Sequence, residues 1–385
     1  SYFDSRRSFV PFYYQATRTG DGDLYLIDLN EETGREYLDY SGGDKNVTSS
    51  MYFEGQLSYS KTFAKKHDVS GMLVYTMRES LTPASDLQNA LPSRNMGLSG
   101  RFTYGFDTRY FAEFNFGYNG SERFDKNNRF GFFPAIGLGY MISNESFYPS
   151  GLKKVISNLK FKYTWGKVGN DQIGDVNDRF FYLSRVNPSD DGMGYTFGSD
   201  FNYSRPGVSI SRYADPNICW EVATKQDWGI ELTLFHDKVN IQADYFRENR
   251  SKILMDRAFV TPEMGFEAKI RANVGEAFAH GFDMSMDYNK YFSNGFWLTG
   301  RFNFTYSTSE FRKYEEPAYA DAPWRSHIGQ SLSQTWGWIA ERLFIDQQDI
   351  DNSPKQFGEY MPGDIKYRDV NKDGVIDDND QVPIG

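Results

Sequence analysis

The sequence lacks three features that would place it in a common class of protein. It contains one cysteine, Cys219, so no disulfide can form within the chain, and we interpret this thiol as a buried small side chain. No run of 18 or more apolar residues occurs, which excludes a membrane-spanning helix. The formal charge is -10, and because phosphate binding requires a basic surface, nucleic acid is not expected as a partner.

The sequence shows neither a signal-peptide pattern in its first residues nor a catalytic motif in a fitting context. The segment SYFDSRRSFVPF shows no basic stretch followed by an apolar core, so we predict no signal peptide and interpret the sequence as a mature chain or a fragment. No nucleophile-elbow, zinc-protease, P-loop or dinucleotide motif occurs in a fitting context. The four histidines lack metal-ligand spacing. We therefore expect a protein that is not an enzyme.

Aromatic residues are abundant in a chain that is otherwise polar. Phenylalanine, tyrosine and tryptophan make up 17% of the residues, although hydrophobic residues reach only 39% and the mean hydropathy is -0.63. A soluble core would instead be rich in leucine, isoleucine and valine. A transmembrane β-barrel places aromatic residues on its lipid-facing surface and polar residues in its lumen and loops. The composition therefore fits a barrel.

Period-two alternation is the clearest pattern in the sequence. Between 96 and 106, apolar residues or glycine occupy the even positions and polar residues or glycine the odd ones, and the pattern resumes after the turn 107–109. Similar pairs of segments span 51–77, 228–245 and 282–306. Each arm has about ten residues, the length that a tilted strand needs to cross a bilayer. These segments predict antiparallel hairpins that span a membrane.

Long polar stretches separate the predicted hairpins, at 166–226, 247–279 and 307–335. Short turns at one end and long loops at the other are typical of outer-membrane barrels. A soluble β-sandwich or solenoid also alternates, but its strands are shorter. We count roughly twelve to fourteen candidate strands, and large plugged barrels close at about 22. Since open strand edges are costly in lipid, we expect the functional molecule to contain more polypeptide.

The segment DVNKDGVIDDND, residues 369–380, has the donor spacing of a twelve-residue calcium loop. Gly374 stands at the sixth position, where the loop turns sharply, and an aspartate replaces the usual final glutamate. An acidic turn held by side-chain-to-backbone hydrogen bonds is the alternative. We predict a structural Ca²⁺ ion held by Asp369, Asn371, Asp373, the carbonyl of Val375, Asp377 and Asp380.

Four tryptophans fall in the predicted loops. They could stack on sugars, but we expect them to pack within the loops. They are Trp220, Trp324, Trp336 and Trp338.

The end of the chain, PGDIKYRDVNKDGVIDDNDQVPIG (362–385), resembles the near-terminal signature of SusC/RagA-type TonB-linked outer-membrane proteins. The segment DPNICWEVATKQDWGIELTLFHDKVNIQADYFRENRSKIL (215–254) is similar to another family block. So are NVGEAFAHGFDMSMDY (273–288) and FFPAIGLGYMISNESF (132–147) followed by LKFKYTWGKVGND (159–171). The resemblance covers about 50–385, in the family order.

The resemblance implies an all-β fold, with residues 1–385 forming part of one TonB-dependent receptor barrel and 362–385 a loop segment with the calcium-like motif. It implies import of oligosaccharides or peptides across the outer membrane of a Gram-negative, Bacteroidota-type bacterium, beneath a SusD-like lipoprotein. The family's plug, its TonB-binding segment and its closing strands have no counterpart in the sequence, so these are expected from further polypeptide. Substrate-binding residues cannot be named. The alternative is a secreted, soluble calcium-binding adhesin or glycan-binding module.

Overall fold

The computed structural model describes residues 2–83, 87–175, 178–320 and 322–384, and these are largely β-strand. Residues 1, 84–86, 176–177, 321 and 385, which the predicted barrel section 1–385 includes, lie outside the described residues. The strands of the described residues are, in chain order, β1 (Tyr2–Ser8), β2 (Tyr14–Arg18), β3 (Leu24–Asp28), β4 (Asp39–Asn46), β5 (Ser49–Phe63), β6 (His67–Leu81), β7 (Ser93–Phe106), β8 (Tyr110–Ser121), β9 (Phe130–Met141), β10 (Ile156–Asn170), β11 (Arg185–Phe197), β12 (Tyr203–Arg212), β13 (Glu221–Leu234), β14 (Val239–Asp256), β15 (Arg271–Tyr291), β16 (Trp297–Lys313), β17 (Thr335–Gly337), β18 (Ala340–Leu343), β19 (Ile365–Tyr367) and β20 (Val382–Ile384).

Helices are short throughout the described parts of the chain. The α-helices are α1 (Leu87–Ala90), α2 (Ser150–Lys153) and α3 (Gln347–Asp351), and single 3₁₀ turns occupy Ile142–Asn144, Pro262–Met264, Pro323–Arg325 and Asp378–Asp380. Among the described residues, none of these helices has the length and apolar character needed to cross a membrane.

The contacts divide the chain into two compact units. One unit, Ser1–Phe53 with Met77–Arg94, contains the antiparallel pair β1–β4 and the hairpin β2–β3. The other, Glu54–Thr76 with Asn95–Gly385, contains most of the largest sheet, the hairpin β11–β12 and the small pairs β17–β20 and β18–β19.

Ten strands form the largest sheet, in the order β5-β6-β7-β8-β9-β10-β13-β14-β15-β16. Neighbouring strands of this sheet are consecutive in sequence, with the exception of β10 and β13. These two pair directly because β11 and β12 form their own hairpin. The four hairpins expected from alternation are all present, as β5–β6, β7–β8, β13–β14 and β15–β16. The sequence-based count of twelve to fourteen strands falls short of the twenty among the described residues, because ten mostly shorter strands pair outside this sheet.

The two faces of this sheet differ in chemistry, as period-two alternation requires. Between β7 and β8, the pairs on one face are mostly aromatic, and we call this the apolar face; the opposite face carries charges and is called the polar face. The apolar pairs include Leu98–Tyr118, Phe102–Phe114 and Phe106–Tyr110. Phe111, the exception to the alternation, lies on the polar face and is paired with Gly105 on one side and Gly139 on the other.

The connections at the two ends of the sheet differ in length. The β5–β6 and β7–β8 turns are tight, and Ala64, Lys65, Asp107 and Thr108 have φ between 48° and 57°. Two successive left-handed residues give the turn the twist that a hairpin needs, here without the usual glycine. At the opposite end, the connections between paired strands are longer: residues 171–220 join β10 to β13, and residues 257–270 join β14 to β15. These connections follow the predicted pattern of short turns at one end and long loops at the other, except that residues 142–155, between β9 and β10, lie at the end with the tight turns.

The long polar stretches are more ordered than the sequence predicted. The stretch 166–226, predicted as loop, contains β11 and β12, and the stretch 247–279 contains the ends of β14 and β15. Expecting loop there was wrong because backbone pairing continues beyond the segment in which side chains alternate. Strands of up to 21 residues exceed the 9–11 that a bilayer requires, so they extend past the apolar band.

Candidate functional site

Ion pairs between strands cover the polar face of the sheet, and all but one of those given below join neighbouring strands. Charged side chains are costly in lipid, so their concentration on one face identifies the face that contacts water or protein. The pairs are Arg101–Glu113 at 2.9 Å, Lys160–Glu231 at 3.4 Å, Lys162–Asp244 at 2.9 Å, Lys225–Glu248 at 3.1 Å and Arg301–Asp287 at 2.6 Å.

The pair Lys162–Asp244 passes over a glycine. In the strand register, Gly229 of β13 lies between Lys162 of β10 and Asp244 of β14. A Cβ atom on Gly229 would stand 2.1 Å from Asp244 Oδ1 and 2.2 Å from Lys162 Cε. The lysine and the aspartate therefore meet across an intervening strand because that strand has no side chain at this position. Asp283 of β15 is the next residue along this row.

We expect Lys162→Met to lower the free energy of unfolding by about 1–2 kcal/mol, because Asp244 would lose its cation while remaining mostly buried. Chemical denaturation in detergent measures the change. The matched control is Arg101→Met, whose pair with Glu113 is more exposed and should contribute about 0–1 kcal/mol. Equal losses in the two variants would contradict the special role of the row across Gly229.

A buried apolar cluster, called here the loop core, lies at the end of the sheet with the long connections. Trp220 is at its centre, with ring centroids 5.4 Å from Phe124 and 5.2 Å from Phe133. Its indole N–H donates to the carbonyl of Arg129 at 3.2 Å, so the polar atom of this buried ring is satisfied. The loop core consists of Phe124, Ile173, Phe181, Ile218 and Trp220, with Phe133, Val222 and Leu254 packed against it.

A charged network borders the loop core. The Asp178 carboxylate accepts hydrogen bonds from Arg212 at 3.2 Å and from Arg271 at 2.8 Å. Both guanidinium carbons also lie 5.6 Å from the ring centroid of Phe181. Arg212 donates further to the carbonyls of Leu183 and Phe180, both at 3.3 Å. The network therefore joins the connection after β10 to the end of β12 and the start of β15.

The ionisation of Asp178 reflects this environment. Burial alone would raise the pKa of the carboxyl group, but it is outweighed by the hydrogen bonds from Arg271 and from the N–H of Asp175, together with the charges of Arg271 and Arg212. The pKa of Asp178 is therefore held below its usual range. The charged form is stabilised by the fold, and the fold is stabilised by the charged form.

The acidic loop 369–380 is ordered by hydrogen bonds from its own backbone. Asp369 accepts from the N–H groups of Lys372 and Gly374 at 2.6 and 2.8 Å. Asp380, which is fully buried, accepts from Val370 at 2.7 Å. Three other predicted calcium ligands also accept hydrogen bonds from backbone N–H groups. Asn371 accepts from Asp373, Asp373 from Val375, and Asp377 from Asn379.

The predicted cation ligands thus lie in one loop, and each carboxylate also has a backbone partner. Among the residues that the structure describes, no group of three or more His, Cys, Asp or Glu side chains is arranged to hold a metal ion. The Ca²⁺ site stays a prediction.

Tryptophans attach the acidic loop to its surroundings. The indole N–H of Trp338 donates to the carbonyl of Asp377 at 2.8 Å, and that of Trp324 to the carbonyl of Asn379 at 2.9 Å. Trp336 packs against His327, with ring centroids 5.2 Å apart. The tryptophans predicted to pack within the loops do so, and two of them bind the acidic loop directly.

Sequence reasoning did not identify the members of the charged network. Asp178, Arg212 and Arg271 are 34 and 59 residues apart along the chain, and no local spacing relates them. The only signal was the presence of charged residues near aromatic ones in a long polar stretch, which is common. The pair Glu316–His327, joined at 2.9 Å, was missed for the same reason.

The sequence matches the family described as TonB dependent receptor-like, beta-barrel, over residues 2–373. TonB-dependent receptor P39 of Formosa agariphila is 27% identical over 353 residues, which cover 85% of this chain and 31% of the relative. TonB-dependent receptor SusC of Bacteroides thetaiotaomicron is 27% identical over 305 residues, covering 76% of this chain and 29% of the relative. The solved RagAB peptide transporter superposes with a TM-score of 0.63 at 20% identity, covering 88% of this chain and 38% of that chain.

The chain spans about a third of the length of the curated relatives that it matches. The resemblance to the SusC/RagA type, the antiparallel barrel fold and the outer-membrane localisation predicted from the sequence are confirmed. The apolar face of the sheet is therefore the lipid-facing surface and the polar face the lumenal one. A barrel that crosses the membrane removes the basis for the soluble adhesin considered above. The chain belongs to the TonB-dependent receptor family and forms part of its outer-membrane β-barrel.

Proposed function

We propose that the protein is a SusC-like component of a TonB-dependent importer that carries oligosaccharides or peptides across the outer membrane. The observation that supports this most directly is the ion-paired polar face, which gives the barrel a hydrated inner wall beside an apolar outer surface. Among the relatives, one is named a SusC receptor and one solved neighbour is a peptide transporter. No covalent chemistry is required of the chain.

The barrel, the loops and the remaining polypeptide have separate roles in this proposal. The ion-paired inner wall surrounds a plug supplied by further polypeptide, which also carries the segment that binds TonB. The loop core and its charged network hold the long connections in a fixed arrangement. A SusD-like lipoprotein docks on those connections and closes the entrance. A rigid docking surface favours association because less conformational entropy is lost on binding.

An uptake experiment tests the proposal. Cells that produce the full-length receptor should accumulate a fluorescently labelled oligosaccharide or peptide from a mixed library, and cells lacking the receptor should not. Removing the TonB-binding segment of the same receptor is the matched control, and it should abolish uptake while leaving the receptor in the outer membrane. The proposal would be contradicted if uptake persisted without the TonB-binding segment, or if cells with the full-length receptor took up neither oligosaccharides nor peptides from the library.

We also propose that the acidic loop binds a structural Ca²⁺ ion. Its oxygen donors have the required spacing, and Gly374 has the left-handed φ of 86° that the sixth position of such a loop needs. The ion would stiffen the segment that Trp338 and Trp324 attach to the rest of the chain.

Chelation provides the test of this site. At a calcium concentration 100 times the dissociation constant, the bound ion should add about 2.7 kcal/mol to the unfolding free energy of the segment. A chelator should therefore lower its thermal stability while leaving the strand content unchanged. Asp369→Asn should abolish the calcium dependence, whereas Asp378→Asn, which alters a carboxylate outside the predicted ligand set, should retain it. A melting curve that is insensitive to calcium would favour the hydrogen-bonded acidic turn.

A further inference from the structure

The apolar face changes character abruptly toward the long-loop end. Across β13–β16, the last apolar row in the strand register consists of Trp228, Tyr245, Phe282 and Tyr306. The row after it consists of Gln226, Arg247, His280 and Thr308. Aromatic side chains commonly lie at the boundary between the hydrocarbon and the headgroups. The polar row therefore stands at the level of the lipid headgroups, on the surface that faces lipid.

Two arginines are concentrated there around one ring. The guanidinium carbons of Arg247 on β14 and Arg312 on β16 lie 4.9 and 4.7 Å from the ring centroid of Phe278 on β15. The ring restricts both cations to the outer surface, so binding an anion costs them little further conformational entropy. Phe278 also packs on the ring of His280, with centroids 5.3 Å apart.

The charges of this patch are incompletely matched within the described parts of the chain. Arg312 pairs with Glu310 at 2.7 Å, whereas Arg247 has no carboxylate within ion-pair distance among the described residues. His280 Nδ1 is buried and has no hydrogen-bond partner there. One row further, Glu276 stands opposite Lys313. The patch thus keeps an excess of positive charge and an unused polar atom.

We propose that Arg247 and Arg312 form a binding site for the phosphate group of a lipid in the outer leaflet. The patch continues directly from the lipid-facing apolar surface, so the acyl chains of a bound lipid would cover the aromatic row while its phosphate meets the arginines. Guanidinium groups match phosphate oxygens in geometry and charge. This inference goes beyond the proposed import function and depends only on the barrel and the orientation of its lipid-facing surface.

Native mass spectrometry of the full-length receptor in detergent tests the site. The receptor is titrated with monophosphoryl lipid A and with the same lipid after removal of its phosphate. We expect the phosphorylated lipid to bind more tightly, and the double variant Arg247→Gln/Arg312→Gln to weaken its binding about 25-fold, since each basic residue at an anionic lipid surface contributes about a fivefold effect. The matched control is Arg301→Gln, which removes a charge from the polar face of β16 and should bind like the wild type.

Three results would overturn the proposal. The first is equal binding of the two lipids to the wild-type receptor. The second is wild-type affinity in the double variant, provided that circular dichroism shows its barrel to be intact. The third is complete displacement of the lipid by millimolar inorganic phosphate, which would identify a site for free phosphate rather than for a lipid. Loss of binding in the double variant alone, with Arg301→Gln unaffected, supports the lipid site.

Discussion

Replacing Trp220 by alanine is expected to lower the free energy of unfolding of the loop core by about 3–5 kcal/mol, the usual cost of removing a buried tryptophan. Its side chain is 8% exposed and lies between the rings of Phe124 and Phe133. The variant would also leave the carbonyl of Arg129 without its indole donor. Hydrogen exchange of residues 171–220 should accelerate by at least 100-fold, because every 1.4 kcal/mol corresponds to about a factor of ten.

The control for this prediction is Trp297→Ala at the start of β16. Trp297 is 59% exposed, so its replacement should leave exchange in the loop core unchanged. The strand content should be similar in both variants, since the ten-stranded sheet is held by backbone pairing. If Trp220→Ala leaves the exchange rates of the loop core at their wild-type values, the cluster does not organise these connections.

The strands could be predicted from the sequence because their signal is local. Each hairpin arm shows its two faces in consecutive residues, so the segment 96–106 alone identifies the apolar and polar faces of β7. The turn Asp107–Thr108 lacks glycine, but it was found from the interruption of the alternation rather than from turn chemistry. Strand ends were predicted less well, since β14 and β15 continue for several pairs without regular alternation.

The sequence predicts that charged residues lie on the lumenal face, but it does not predict which of them form ion pairs with each other. Alternation places Lys162 and Asp244 on the polar face, but the choice of partner depends on the register of three strands and on the absence of a side chain at Gly229. Nothing near Lys162 in the sequence specifies that register. The same limit applies to the outer patch, where Arg247 and Arg312 meet at Phe278 through pairing across β14, β15 and β16.

The loop core was the least predictable part of the fold. Its residues come from three separate connections and strand ends, and their burial results from tertiary packing rather than from a repeating pattern. The acidic loop was easier, because its spacing is contained within twelve residues and its backbone hydrogen bonds are local. Its attachment through Trp338 and Trp324 again depends on contacts 39 and 55 residues apart.

Asp178→Asn should destabilise the connection 171–220, as Trp220→Ala does, but by removing a charge rather than by removing packing. The amide retains the shape of the carboxylate but not its charge, so Arg212 and Arg271 would remain close together without an anion between them. Removing one partner from a buried ionic network costs about 3–5 kcal/mol. We expect the hydrogen exchange of residues 171–220 to rise by a factor of 100 or more at pH 7, with the sheet unaffected.

The control is Asp190→Asn on β11. The Asp190 carboxylate accepts hydrogen bonds from Ser209 and from the N–H of Gly192, and it pairs with no arginine of the described residues.

The pH dependence separates this electrostatic contribution from simple packing. Because the fold lowers the pKa of Asp178, its stabilising effect is complete above the unfolded value of about 3.9 and is lost as the pH falls through the lower folded value. The wild-type loop core should therefore keep its protection from pH 7 down to about pH 4 and lose part of it below that. In Asp178→Asn this loss should be smaller, since the titrating group is absent. If the two proteins lose protection in parallel between pH 4 and pH 2, other carboxylates are responsible for the acid sensitivity, and the network contributes through its shape alone.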